Sequence, residues 1–206
     1  MNEGHEQLCS SPEWGEYLAT EVLPDLLEGI DLGDHLLEIG PGFGLATDVL
    51  CTRAPHVTAV EIDPHYATRL VDRFAGGNVR VIEGDATDMD FPDAAFTAAA
   101  SFTMLHHVPT AELQDGLFAE VARVLAPGAA FIGSDSLDSP GFRAFHAGDT
   151  CVPVDPAELA ARLAAAGFSP VRVTAEWTVD PDEMDGSDEA SGIVSFVARR
   201  SDPVRR

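Results

Sequence analysis

The sequence contains no lysine, and this shortage of positive charge is the first limit on what the protein can bind. Its 12 basic residues are all arginines, against 35 acidic residues, so the net charge is −23 at pH 7. The arginines are scattered, with adjacent pairs only at Arg199–Arg200 and Arg205–Arg206. An acidic surface repels phosphate backbones and anionic lipid headgroups. We therefore expect neither a nucleic-acid partner nor a membrane partner.

The chain also has few cysteines and no long hydrophobic run. Its three cysteines, Cys9, Cys51 and Cys151, form no CxxC pair. An odd number of separated thiols is typical of reduced cysteines in a cytosol, not of a disulfide framework. No apolar stretch approaches the roughly 20 residues that a membrane-spanning helix needs. The acidic N-terminus lacks the apolar core of a signal peptide, so the sequence predicts a cytoplasmic protein.

What the sequence does contain is a regular alternation of short apolar runs with helical segments. This alternation predicts right-handed βαβ units and a doubly wound, mostly parallel α/β sheet with helices on both faces. Runs that are apolar throughout are typical of strands buried on both sides. The predicted strands are 35–40, 57–62, 79–84, 95–102, 129–135, 171–177 and 192–199, and the predicted helices are 44–53, 64–75, 110–125 and 155–166.

The strongest motif follows the first predicted strand, where LLEIGPGFGLAT places three glycines before a helix. Gly40, Gly42 and Gly44 allow a tight turn and a close approach of ligand to backbone. Free N–H groups at the helix start face the ligand site at the carboxyl edge of the sheet. Leu45 stands where a dinucleotide fingerprint has its third glycine, so that motif does not fit. Glu38 would repel a pyrophosphate but suits the cationic amino end of an amino-acid-like ligand.

With this loop the sequence resembles the class I S-adenosylmethionine-dependent methyltransferases. Within them it looks like methyltransferase type 11, the small-molecule group with the ubiquinone and menaquinone C-methyltransferases. The resemblance covers residues 35–135 well and the remainder loosely. It implies a Rossmann-like, seven-stranded sheet whose last strand is antiparallel. It also implies S-adenosylmethionine as cofactor, S-adenosylhomocysteine as product, and in-line methyl transfer to a small-molecule acceptor.

Two acidic residues at the next strand ends complete the cofactor site that the resemblance implies. Glu61 ends the second strand, where a carboxylate can accept both hydroxyls of a ribose, and Ile62 would pack on the adenine. Asp85 would accept from the adenine amino group, and the Ala86 N–H would donate to a ring nitrogen. A solvated turn residue is the alternative for Asp85. Asp63 fits a helix cap better than a ligand.

The end of the fourth predicted strand is the expected reaction side of the site. The resemblance implies that Ser101 and Phe102 line the methionine side of the cofactor. His106, His107 and His146 are candidates for a general base or a substrate contact. Each also has a structural alternative, as a packing residue or as part of a surface loop. Because adjacent histidines point to different sides of a chain and no ligand-spaced motif is present, we predict no metal site.

The remaining segments are expected to enclose the acceptor. Trp14 and apolar residues at helical spacing predict an amphipathic helix over 12–30, bent near Pro24. We expect a single domain in which residues 1–30 form a helical lid, 31–135 the cofactor-binding core, and 136–206 a substrate loop with the C-terminal strands. The acidic segment DPDEMDGSDEAS in that last part predicts a mobile loop.

Two other functions remain open, and so does the oligomeric state, for which a homodimer is one alternative. The first is a nicotinamide-dependent oxidoreductase, against which the missing third fingerprint glycine argues. The second is a non-catalytic cofactor-binding or interaction protein of the same fold. The intact glycine loop and Glu61 argue that a ligand site has been kept.

Overall fold

The computed structural model of the protein describes residues 2–177 and 192–202, so the predicted acidic loop lies outside the described residues. The described strands form one sheet in the order β3-β2-β1-β4-β5-β7-β6. The strands are β1 (His35–Ile39), β2 (His56–Glu61), β3 (Val79–Glu83), β4 (Phe96–Phe102), β5 (Leu125–Ser136), β6 (Phe168–Trp177) and β7 (Gly192–Arg200). The helices are α1 (Glu3–Cys9), α2 (Pro12–Tyr17), α3 (Leu23–Leu27), α4 (Leu45–Arg53), α5 (Pro64–Arg73), α6 (Ala111–Val124), α7 (Pro140–Phe145) and α8 (Pro156–Ala165).

The predicted fold class is confirmed. Strand β1 pairs in parallel with β2 and β4, and the last strand, β7, runs antiparallel to both β5 and β6. Neighbouring residues of β1 pack into two different hydrophobic clusters. Leu36 belongs to the cluster that contains Leu50, and Leu37 belongs to the cluster that contains Phe118. Burying one such side chain contributes about 1.5–3 kcal/mol. Since parallel strands end at the same edge, the loops after β1 to β4 share one surface.

The N-terminal segment contains more helix than the sequence predicts. Helix α1 was not predicted; it begins after Asn2, whose side chain accepts a hydrogen bond from the His5 N–H at 3.0 Å. The helix predicted over 12–30 consists of α2, a π-helical turn at Leu18–Val22, and α3. Pro24 has no N–H to continue the hydrogen-bond ladder. The irregular turn therefore lies where the sequence predicted a bend.

The segment after β5 also differs from its prediction as a loop, because it contains α7. Ser139 caps this helix by accepting from the Phe142 N–H at 3.0 Å, and Pro140 occupies its first turn. Helix α8 agrees with the predicted signals, since the Asp155 carboxylate accepts from the Ala157 N–H at 2.8 Å. In the part of the chain that the structure describes, no helix has the length and apolarity to cross a membrane.

Candidate active site

A cavity of about 440 Å³ lies at the carboxyl edge of β1 to β4. The glycine loop, the segments after β2, β3 and β4, and the N-terminal helices form its walls. Eight predicted cofactor-binding residues line it: Glu38, Gly40, Gly42, Glu61, Ile62, Asp85, Ala86 and Phe102. The structure thus brings most of the predicted set together, and the contact of each residue with a cofactor stays a prediction.

The glycine loop has the backbone conformation that its composition predicts. Gly40 and Gly42 have φ angles of 64° and 54°, in the left-handed region that favours glycine. A Cβ on Gly40 would lie 2.2 Å from Cγ of Met104, whereas one on Gly42 would meet nothing within 4 Å. Gly44 differs from its prediction, because it does not line the cavity. It precedes α4 and faces α5, where an added Cβ would lie 2.6 Å from Leu70.

Glu61 is buried at the end of β2 and holds the loop in place. Its Oε2 accepts from the Gly42 N–H at 3.0 Å, and its Oε1 accepts from the Asp63 N–H at 2.9 Å. Asp63 has the role of cap that the sequence favoured, since its Oδ1 accepts from the His65 N–H at the start of α5. Glu61 therefore combines a position on the cavity wall with a structural function in the loop.

Glu38 is a buried carboxyl group at the end of β1, beside the glycine loop. Burial raises its pKa from 4.5 to about 7. Among the described residues, its Oε2 has no hydrogen-bond partner. A hydrogen bond with the Thr47 side chain opposes this rise only in part, and a buried carboxyl oxygen without a partner is costly unless a ligand supplies a donor or a cation. The group therefore suits the cationic amino end predicted for the ligand.

Asp85 and Ala86 lie on the cavity wall after β3. Oδ1 of Asp85 accepts from both the N–H and the hydroxyl of Thr87, at 2.8 and 2.7 Å. These bonds are those of a turn residue, the alternative that the sequence left open. The same carboxylate still lines the cavity, so the turn fixes its position beside the ligand space.

Phe102 and Ser101 end β4, but only Phe102 lines the cavity. Ser101 is fully buried, and its hydroxyl has no hydrogen-bond partner within the described residues. In a strand, successive side chains point to opposite faces, so these two neighbours cannot share one wall. The predicted cofactor contact of Ser101 is therefore not reproduced by its side chain in this structure.

The three predicted catalytic histidines lie close together beside the cavity. His106 and His107 form the 3₁₀ turn Leu105–His107, and their ring centroids are 4.1 Å apart. His146 follows α7, with its ring centroid 4.8 Å from that of His106. The premise that adjacent histidines must diverge is wrong here, because the tight turn brings both rings to one side. Of the three, only His107 lines the cavity itself.

His5 is a fourth member of this cluster that the sequence analysis missed. Its ring stacks on His107 with centroids 5.0 Å apart and meets His146 edge-on at 4.3 Å. Burial, together with the neighbouring histidines, lowers the pKa of His5 to about 4. Burial and His106 lower the pKa of His107 to about 3. Both rings are therefore neutral and weakly basic at pH 7, and a neutral imidazole has one ring nitrogen that can accept a hydrogen bond or bind a metal ion.

A buried carboxylate orients His106. Oδ1 of Asp135, in β5, lies 2.6 Å from Nδ1 of His106, and Oδ2 accepts from the backbone N–H of the same residue at 3.0 Å. Burial alone would raise the pKa of Asp135, but His106 and the N–H of Ser136 lower it below its usual value. The ionised carboxylate accepts the proton of Nδ1, which leaves Nε2 of His106 as the free nitrogen.

Comparison with known proteins agrees with this architecture. Residues 37–133 match the family described as "Methyltransferase domain". The chain has the fold of a SAM-dependent methyltransferase from Methanosarcina mazei (TM-score 0.63, 19% identity, 87% of this chain and 98% of that one). It also has the fold of phosphoethanolamine N-methyltransferase 2 of Haemonchus contortus in complex with S-adenosyl-L-methionine (TM-score 0.70, 16% identity, 92% and 53%). The predicted resemblance is confirmed.

A curated relative corrects the predicted acceptor. "Probable ribosomal RNA small subunit methyltransferase A" of Methanothermobacter thermautotrophicus is 49% identical over 80 residues, which are 37% of this chain and 29% of the relative. The chain thus spans less than a third of that relative's length. This finding contradicts our prediction of a small-molecule substrate and no nucleic-acid partner, and that prediction is therefore wrong. It depended on the net charge, which is a sum over the chain and does not describe the groups at one site.

Proposed function

We propose that this chain, whose residues 37–133 match the methyltransferase-domain family, transfers a methyl group from S-adenosylmethionine to an acceptor beside the histidine cluster. The observation that carries the proposal is the convergence of Glu38, Glu61 and Asp85 on one cavity next to a left-handed glycine loop. Three acidic groups at three strand ends suit a ligand with a cationic end, a ribose and an amino-substituted base.

The residues present fit S-adenosylmethionine. We assign Glu38 to the ammonium group, Glu61 to the ribose hydroxyls, and Asp85 with the Ala86 N–H to the adenine. The buried Oε2 of Glu38 without a partner and the open space above Gly42 support this assignment. When bound, the cofactor supplies an electrophilic methyl group on a sulfonium.

The chain's own residues would orient the reactants and exclude water. Trp14, Leu18 and Phe102 contribute apolar surface to the cavity. Positioning of this kind can supply roughly 7–11 kcal/mol of a reaction barrier. His107 lies on the wall and is neutral at pH 7, so it can hold an acceptor by accepting a hydrogen bond, whereas its lowered pKa of about 3 makes it a weak base.

For the acceptor we propose RNA, because the ribosomal RNA methyltransferase relative is named for that substrate. The test uses tritiated S-adenosylmethionine with purified small ribosomal subunits and, in parallel, with their extracted RNA. The matched variants are Glu61→Ala at the site and Glu28→Gln on the exposed surface.

We expect RNA to be labelled by the wild type and by Glu28→Gln, but not by Glu61→Ala. Cofactor binding without labelled RNA would refute the acceptor and leave the cofactor site standing. Absence of cofactor binding would refute the whole proposal. Parallel calorimetry with NADH separates the oxidoreductase alternative, which predicts binding of NADH and none of S-adenosylhomocysteine.

We also propose that the N-terminal residues 1–30 act as a lid. Cys9, Trp14 and Leu18 line the cavity, and α1 is held to the loop after α7 by the Asn2 N–H, which donates to Asp149 at 2.6 Å. Deletion of residues 1–20 should lower turnover more than cofactor affinity. Unchanged turnover in the truncated protein would contradict the lid.

A further inference from the structure

We propose that His5, His106, His107 and His146 form a binding site for one divalent transition-metal ion, with Zn²⁺ as the representative ion. One nitrogen from each ring can be chosen so that all four atoms lie within 4.8 Å of one another. Imidazole nitrogen is a preferred ligand of Zn²⁺, Cu²⁺ and Ni²⁺. The inference does not depend on the proposed methyl transfer.

The spacing is close to that of a coordination sphere. Zn–N bonds of about 2.0–2.1 Å in a tetrahedron place the nitrogens about 3.3 Å apart. The histidines would therefore have to approach one another by about 1.5 Å at the widest pair. Rotation of side chains that start from three elements would have to supply this contraction: His5 in α1, His106 and His107 in the 3₁₀ turn, and His146 at the end of α7.

Two of the rings make outward hydrogen bonds of the kind that metal-binding histidines make. Nδ1 of His106 lies 2.6 Å from the Asp135 carboxylate, and Nδ1 of His146 lies 2.8 Å from the carbonyl oxygen of Phe142. Such bonds from the distal nitrogen fix the tautomer and direct the other nitrogen at the ion. In His106 and His146 the other ring nitrogen is Nε2. Within the described residues both Nε2 atoms are buried without a hydrogen-bond partner.

Packing alone does not account for these nitrogens. A buried polar atom without a partner costs free energy, and the cluster contains several such atoms at once. A bound ion would satisfy them together. Two carboxylates flank the cluster and would offset its charge: Asp135 behind His106, and Asp149, whose Oδ2 lies 3.6 Å from Nδ1 of His5.

The four histidines come from separate parts of the chain, so a bound ion would link those parts. His5 lies in α1, His106 and His107 follow β4, and His146 follows α7, so one ion would join three separate segments. His5 and His107 also line the cofactor cavity. A bound ion would therefore hold α1 against the cavity wall.

The test uses the full chain without an affinity tag, stripped of metal with a chelator that is then removed by dialysis. Co²⁺ is titrated as a spectroscopic probe and Zn²⁺ as its competitor, and bound metal is counted by mass spectrometry. We expect one equivalent, visible bands of nitrogen-coordinated Co²⁺ without a thiolate charge-transfer band, and a melting temperature that Zn²⁺ raises and Mg²⁺ does not.

Matched histidine variants locate the site. His5→Gln and His146→Gln should each weaken Co²⁺ binding at least 10-fold, whereas His56→Gln, at the exposed start of β2, should leave it unchanged. Circular dichroism confirms that each variant is folded. Less than 0.2 equivalent of metal in the folded wild type, or equal affinity in all three variants, would overturn the proposal. A thiolate band would do the same, because it would assign the ion to the cysteines.

Discussion

Replacing Glu38 by glutamine should stabilise the ligand-free protein at alkaline pH while weakening its cofactor binding. Burial raises the pKa of Glu38 from 4.5 to about 7. Between these two values the folded protein keeps a proton that the unfolded chain has lost. The contribution of this group to the free energy of unfolding therefore falls as the pH rises from 4.5 to about 7, and stays low above that.

The size of the effect follows from the two pKa values. Each pH unit between them corresponds to about 1.4 kcal/mol, so burial of the ionised carboxylate costs about 3 kcal/mol above pH 7. The Glu38→Gln variant avoids this cost because the amide does not ionise. For a chain of about 200 residues, about 3 kcal/mol corresponds to a rise in melting temperature of roughly 6–12 °C.

The assay is thermal unfolding of the ligand-free protein at pH 5 and pH 8, followed by circular dichroism. Glu28→Gln is the control, because it removes the same charge from an exposed position. We expect a large gain for Glu38→Gln at pH 8, most of it absent at pH 5, and little change for Glu28→Gln. S-adenosylhomocysteine should bind Glu38→Gln about 10-fold or more weakly, since a charge-assisted bond is lost. An equal gain at both pH values, or in both variants, would refute this reasoning.

Three other predictions concern the loop, the buried acid and the acceptor. Two variants, Gly42→Ala and Gly76→Ala, each place a Cβ in open space at positive φ. Each should therefore lower the free energy of unfolding by about 1–2 kcal/mol. Calorimetry should show loss of cofactor binding only for Gly42→Ala. Asp135→Asn should lower the free energy of unfolding by about 2–3 kcal/mol at neutral pH. Because the pKa of Asp135 is lowered from 3.8 in the folded protein, denaturant titrations should show this difference persisting down to about pH 4 and shrinking only below it. Labelling of RNA should rise between about 0.1 M and 1 M salt, because the screening length falls from about 10 Å to about 3 Å; a fall with salt would point to a local basic surface instead.

The fold and much of the cavity wall could be predicted because short-range patterns determine them. The LLEIG run predicts a buried strand, and the glycines after it are required by left-handed backbone angles that the structure shows at Gly40 and Gly42. The prediction that Glu61 and Asp85 share one wall follows from their positions at strand ends, since parallel strands end at the same edge of a sheet.

The histidine cluster could not be predicted in the same way because it depends on long-range packing. His5 lies about 100 residues before His106 and 140 before His146 in the sequence, and its helix gives no strong periodic signal. The predicted divergence of adjacent histidines assumed an extended chain, whereas a 3₁₀ turn brings His106 and His107 together. The prediction of the acceptor was wrong because it depended on the net charge, which carries no information on where individual charged groups lie.

The cofactor assignment is tested most sharply by titration of the wild type and of Glu61→Ala with S-adenosylhomocysteine in a calorimeter. We expect one site per chain in the wild type and at least 10-fold weaker binding in the folded variant, since the proposed ribose contacts and the Gly42 hydrogen bond are lost together. No heat of binding in the wild type, or the same affinity in both proteins, would contradict the assignment of this cavity to the cofactor.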